Sequence, residues 1–532
     1  MPHGAWHVGR APCHCPLSGR TLVAGNPDLP RSAAGPNSPW LLAVVVSIAT
    51  FMEVLDTTIA NVALRHIAGS LGAGQDESTY IITSYLVSNA IILPISGWLS
   101  NVIGRKRFYM GCVLLFTVSS VACAFATSLG MMLLFRVLQG IGGGGLAPTE
   151  QSIFADSFTP KQRAIAFSVY GFTVVTAPAI GPVLGGWLTD AFSWHWVFLI
   201  NLPFGALSLT LTWLFVYDSP ALQADRKKLL GRGLKIDYVG FLLVALGFGS
   251  LQIVLDRFER DDGFSSPFIL TFFLVAVISL VSLVVWELVH DQPVVNLRLF
   301  KIRAFAISNV VMFLFGFIII STTQLVPQLA QELLRYDATT AGQTLGAAGV
   351  VSLFVMPVAG LVTGRLIQPR WLIFSALLGT AGALHYASAL DLNASFYNLS
   401  LSRMLQVFWL PFIFIPLSAV QFTGVPPAQN PDASAIINLM RNLGGSFGVS
   451  IVTTQLAWRG QLHYERLGEH VTPYNGYGGT TDLTGIAQQV LTQSTILSYL
   501  DVFTILSLIA LCAAPLVLFL PNLPKGAPAG GH

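Results

Sequence analysis

Trp40 to Leu64 reads WLLAVVVSIATFMEVLDTTIANVAL, an apolar run long enough to cross a bilayer that nonetheless carries two acids, Glu53 and Asp56. Nothing in it alternates with a period of two. It therefore reads as a helix, which satisfies its own backbone in a medium without water. Thirteen further runs of this kind follow, at approximately 78–100, 107–127, 131–155, 163–188, 195–217, 236–256, 266–289, 304–328, 341–366, 371–390, 403–424, 433–457 and 498–520. The 532 residues are 53% hydrophobic and 10% charged, with a mean hydropathy of +0.67. A soluble globule, roughly a quarter charged, is excluded. A net charge of +3 is too small and too scattered for a nucleic-acid partner. The expected fold is an all-α integral membrane protein of 14 transmembrane helices.

The basic residues orient it. Arg10, Arg20, Arg31, Arg105, Lys106, Arg107, Lys161, Arg163, Arg226, Lys227, Lys228, Arg232, Lys235, Arg298, Lys301, Arg303, Arg365, Arg370 and Lys525 precede the first span or follow even-numbered ones, 19 of the 28. Both termini are thus expected on the cytoplasmic side. Residues 1–39 read as a disordered cytoplasmic extension without a secretory signal, and 521–532 as a flexible tail. His3, His7, Cys13, His14 and Cys15 match no zinc spacing, so no metal site is expected.

An internal repeat divides the remainder. Arg136-Val-Leu-Gln139 recurs as Arg403-Met-Leu-Gln406, and Gly97 to Arg107 corresponds to Gly360 to Arg370, at offsets of 267 and 263 residues. Residues 40–217 and 301–520 then form two six-helix halves, and 218–300 holds a linker and an inserted pair, spans 7 and 8. Parallel halves with a substrate path between them are a transporter architecture.

Leu55-Asp-Thr-Thr-Ile-Ala-Asn-Val-Ala-Leu64 resembles the first-helix motif of the major facilitator superfamily, and Gly97 to Arg107 its loop 2–3 motif. Arg136-Val-Leu-Gln-Gly-Ile-Gly-Gly143 is similar to the fourth-helix motif, and Ala177-Pro-Ala-Ile-Gly-Pro-Val-Leu-Gly-Gly186 to the antiporter motif of helix 5. Together with Trp196 to Pro203 and Met440 to Gly445, the likeness covers roughly 40–520 and points to the fourteen-helix drug:proton antiporters of the EmrB/QacA type. Asn101 and Arg65 depart from the motifs, which usually carry Asp and Pro there.

Chemistry is expected where charge meets the bilayer, since an intramembrane charge costs several kcal/mol and normally faces a cavity or a partner. Helix rise places Asp56 about 12 Å and Arg136 about 8 Å from the outer ends of their spans, so the two can meet. Desolvation favours the neutral acid and a neighbouring arginine the carboxylate. Asp56, Glu53 and Arg136 are therefore the proton-coupling candidates, against a purely structural bridge between helices. Glu150, expected to be partly solvated, joins Gln139, Asn61 and Arg441 as a candidate for the substrate path. Arg403 mirrors Arg136 by the repeat, except that it falls at the outer boundary of its run, where snorkelling is the cheaper explanation.

Ala177, Pro178, Gly181, Pro182, Gly185 and Gly186 give span 5 close packing and a bend, and the resemblance implies a gate that suppresses leak. Gly97, Gly104, Arg105, Lys106 and Arg107 form a cytoplasmic loop motif and conformational latch, which Asn101 is expected to weaken by removing an anion.

No Gly-Lys-Ser/Thr phosphate loop and no hydrolase motif occurs, so neither an ATP-driven pump nor an enzyme is expected, and no cofactor. The leading expectation is proton-coupled export of amphipathic or lipophilic drugs by alternating access. A non-transporting receptor or scaffold, or an exporter of an endogenous lipid or fatty acid, stays open. The resemblance implies a bacterial inner-membrane location, membrane lipid around the chain, and a periplasmic adaptor with an outer-membrane channel. Residues 458–497, with Tyr464, Tyr474 and Tyr477, read as the longest external loop and the docking surface, with Ile486 to Leu491 as an interfacial helix within it.

Overall fold

The backbone groups of these apolar runs have only each other to bond with, and each run is occupied by helix. The computed structural model describes residues 39–218, 223–224, 226–227, 231, 237–290, 293–336, 338–363, 366–471 and 483–521. The N-terminal extension with its His and Cys residues, the tail beyond 521, and Tyr474 and Tyr477 lie outside the described residues.

Span 1 is Pro39–Leu71, span 2 Tyr80–Ile103 and span 3 Arg105–Ala124. Span 4 is broken at Gly144 and Gly145 into Leu129–Gly143 and Leu146–Ser157. Span 5 is Pro160–Ala191, and span 6 joins His195–Leu199 to Asn201–Phe215. The inserted pair is span 7, Tyr238–Arg257, and span 8, Pro267–Val289. Spans 9 to 11 are Arg303–Glu332, Ala338–Val362 and Pro369–Ala387; span 12 is Phe396–Trp409 with Pro411–Gln421. Span 13 is Asn430–Glu469 and span 14 Leu483–Val517.

Among the described residues, twelve helices are long and apolar enough to cross a membrane, or thirteen when Gln162–Pro178 and Ile180–Ala191, bent by 44°, count as one. Span 11 is helical but short, and Arg370, His385 and Tyr386 dilute its hydropathy. The bend in span 5 falls at Pro178, where the proline ring removes a ladder donor.

The repeat extends to the helix caps. Ser128 accepts from the Met131 amide at the start of span 4, and Ser395 from the Asn398 amide at the start of span 12, again 267 residues apart. Span 7 packs on span 2 and, less extensively, on span 13, so the inserted pair covers one seam between the halves.

One expectation is corrected here. Residues 458–469 and 483–497 are not loop: they continue spans 13 and 14 as helix, because Gln, Leu, Glu and Arg sustain helix where hydropathy has already fallen. At 40 residues span 13 is about 60 Å long, twice the hydrocarbon thickness. It starts at the end of the bundle that carries Arg105, Lys106, Arg163 and Arg303, hereafter the basic end, and runs to the opposite one.

Candidate functional site

Span 1 brings Asp56 to full burial against span 4, where Arg136 is equally enclosed. Arg136 Nη1 donates to Asp56 Oδ2 at 2.8 Å, while Oδ1 accepts from Gln139 Nε2 at 2.9 Å and from Asn201 Nδ2 at 2.6 Å. Arg136 also donates to Gln139 Oε1 at 2.8 Å and, through Nε, to the Ile81 carbonyl at 3.2 Å. Its guanidinium lies 4.5 Å from the centre of the Tyr85 ring. Asn201 in turn donates to Ser120 at 2.9 Å. Asp56 and Arg136 thus meet, as helix rise allows, while Gln139, expected on the substrate path, and Asn201, for which no role was expected, are brought onto Asp56. An amide side chain inside the apolar run 195–217 was the available signal.

One turn nearer the basic end, Glu53 has longer contacts, from Asn89 Nδ2 at 3.3 Å and the Tyr85 hydroxyl at 3.5 Å. It lies within electrostatic reach of Arg441, which comes from the other half. Arg441 Nη1 donates to the Tyr170 hydroxyl at 2.6 Å. Beside it Asn438 and Gln151 exchange amide hydrogen bonds across the halves, at 2.9 and 3.3 Å.

Glu150 is corrected from partly solvated to fully buried, because span 1 covers it and both Ser47 and Thr50 donate to its carboxylate. Arg403 is corrected too. Span 12 begins at Phe396, well outside the apolar run, so Arg403 sits inside the bundle and not at a boundary. It donates to Gln406 at 2.7 Å, Thr322 at 2.9 Å and Thr323 at 2.6 Å. It therefore mirrors Arg136 and Gln139, with threonines in the place of Asp56. Asn61 is exposed on span 1, apart from this group.

At the basic end the halves are tied together. Arg105 forms a buried ion pair with Asp156, to which Asn430 also donates at 2.8 Å. Asn101 Nδ2 donates to Asp432 Oδ1 at 3.0 Å, and Gly97 lies so close to the Asp432 backbone that a Cβ there would fall 2.8 Å from its Cα. In this conformation the Asn101 amide bonds to Asp432, where an aspartate would face a second carboxyl group. Gly104, at φ 97°, adopts a conformation that favours glycine, and lets the Lys106 amide donate to Asp218 at 3.2 Å. Arg107 is exposed.

In span 5, Ala177 is buried and Gly181 and Gly185 press on Thr58 and Ile59 of span 1. Pro182 faces Gly342 of span 10, in the other half, so the motif touches both halves at once. Pro178 is half-buried at the bend, and Gly186 has nothing against it.

Residues 46–449 match the Major Facilitator Superfamily. The chain is 36% identical to the "Multidrug export protein EmrB" of Escherichia coli K12, over 92% of this chain and 97% of the relative. It is 33% identical to the "Fatty acid resistance protein FarB" of Neisseria gonorrhoeae over the same shares. Among solved structures, the human organic anion transporter MFSD10 matches with a TM-score of 0.59 at 15% identity, covering 90% of this chain and 100% of that one.

Proposed function

The chain belongs to the major facilitator superfamily as an EmrB-like transporter, not an enzyme, and from that premise we propose that it exports amphipathic or lipophilic drugs in exchange for protons. The observation that carries the proton half of this reading is the buried Asp56–Arg136 pair, held by Gln139 and Asn201 across spans 1, 4 and 6. A proton arriving on Asp56 cancels the charge that holds Arg136. The guanidinium must then find other acceptors, and span 1 is released from span 4.

The basic end is the cytoplasmic one, and both termini lie there, by the distribution of lysine and arginine. The ties of Asn101 to Asp432 and of Asn430 to Asp156 therefore close the cytoplasmic side. The Ala177 to Gly186 motif, pressed on span 1 and on span 10, limits leak while the halves rock. Arg105, with Gly97 and Gly104, is the latch. In a bacterial inner membrane the extended ends of spans 13 and 14 project into the periplasm, where an adaptor leading to an outer-membrane channel docks on them.

A fatty acid or other acidic amphipath is the second reading. Arg441 stands at the seam between the halves, and among the described residues its bonded partners are Tyr170 and Asn442, not a carboxylate. An anionic head group fits there.

The test is transport in reconstituted vesicles under an imposed pH gradient, with a panel of cationic, neutral and acidic amphipaths. Asp56→Asn is expected to abolish gradient-driven uptake while the protein stays folded. Wild-type rates in that variant would sink the proton role of Asp56.

A further inference from the structure

Ser47, Thr50, Glu53 and Asp56 recur at every third residue, each step about 60° short of a full turn, so the polar strip winds about halfway round span 1. Asp56 and Glu53 belong to the site above; Ser47 and Thr50 are used differently, each donating to one carboxylate oxygen of Glu150. Glu150 lies seven residues from the end of span 4, about 10 Å from the basic end, and is fully enclosed.

The groups facing it are Glu53 on span 1, Tyr109 on span 3, Tyr170 on span 5 and Arg441 on span 13. Span 2 supplies Tyr85, whose hydroxyl is on Glu53, and Cys112 of span 3 packs beside Gly145. The Tyr109 hydroxyl is committed to the Val46 carbonyl at 2.5 Å, and Arg441 to Tyr170. Among the described residues no cation forms an ion pair with Glu150.

That is the reverse of Asp56, whose charge Arg136 balances at 2.8 Å. A carboxylate withdrawn from water without a cation bonded to it is costly, and binding a proton removes that cost. The Ser47 and Thr50 hydroxyls suit either form, since a hydroxyl both donates and accepts.

We propose that Glu150 is a second proton-carrying site of this transporter, between Asp56 and the basic end, with Ser47 and Thr50 as its fixed cradle. When Glu150 is neutral, its O–H donates to one hydroxyl oxygen and its carbonyl accepts from the other. On release the proton passes to water admitted at the basic end when the Arg105–Asp156 lock is open, leaving one negative charge on the carboxylate. Both hydroxyls then donate to it, so two hydrogen bonds are kept throughout. The inference rests on the reading that this chain couples transport to protons, but not on Asp56 being a carrier.

The experiment is infrared difference spectroscopy on the full chain in phosphatidylethanolamine/phosphatidylglycerol bilayers, between roughly pH 5 and pH 9, a range wide enough to cover strongly perturbed carboxyl groups. The signal is the C=O stretch of protonated carboxyls. Glu150→Gln, which keeps the shape and both hydroxyl contacts, is expected to remove one band. Asp56→Asn is expected to leave that band in place, and Glu150→Asp to restore it at a shifted position. Ser47→Ala with Thr50→Val is expected to move it to higher frequency, because a carbonyl freed from a hydrogen bond vibrates faster. A Glu150→Gln spectrum that superposes on wild type would overturn the proposal, whatever Asp56→Asn does. Loss of the Glu150 band together with wild-type transport in Asp56→Asn would uphold it while removing Asp56 as a carrier.

Discussion

Replacing Arg136 by Met tests whether the ion pair at the centre of the N-terminal half carries the structural load its burial implies. The substitution leaves the Asp56 carboxylate enclosed with only Gln139 and Asn201 to donate to it. Breaking a buried pair by removing one partner typically costs about 3–5 kcal/mol. The repeat supplies the control. Arg403→Met deletes a guanidinium of similar burial whose acceptors are Thr322, Thr323 and Gln406, so no charge is stranded, and a loss of about 1–3 kcal/mol is expected. The assay is thermal and denaturant unfolding of the purified protein, followed by tryptophan fluorescence. It is completed by the double variant Arg136→Met/Asp56→Asn, whose neutral amide restores much of the loss. Equal losses at Arg136 and Arg403, with no recovery in the double variant, would refute the reasoning.

Gly181→Leu forces a side chain into Thr58 of span 1, where overpacking costs roughly 1–3 kcal/mol, and is expected to alter proton leak in vesicles, read with an internal pH dye. Asn101→Asp places a like charge opposite Asp432, so cysteine probes placed at the basic end of spans 2 and 13 are expected to label faster than in the parent. Equal labelling would show that this contact does not hold the end closed. Deleting residues 470–485 is expected to abolish whole-cell resistance while leaving transport in vesicles intact, because in the reading proposed above only the former needs an adaptor. Loss of both would instead mark the segment as part of the transport machinery.

The helical runs and the Asp56–Arg136 pair were legible because hydropathy and helix rise are one-dimensional quantities. An offset of 267 residues was enough to find the repeat. Cross-half partners were not legible: nothing in the sequence aligns Asn101 with Asp432, 331 residues away, or Gln151 with Asn438. Arg403 and Glu150 were misplaced for a shared reason. Hydropathy marks where a run becomes apolar, whereas burial depends on what covers the helix: span 12 starts a full turn or more before Arg403, and span 1 covers Glu150.

Span 13 has the geometry of a lever. Its backbone is pressed against span 9 at three points, where Gly444 meets Phe313, Gly448 meets Phe317 and Gly316 meets Arg441, a packing that favours movement of the two helices as one stiff beam. One tip holds Asn430 and Asp432 in the basic-end ties, and the other, at Glu469, lies at the opposite end of the bundle. A tilt of about 10° in a beam of about 60 Å, hinged near one tip, sweeps the far tip through about 10 Å. Undoing two hydrogen bonds at the basic end would thus become a movement the width of a helix at the far end, and the adaptor proposed above would receive it mechanically.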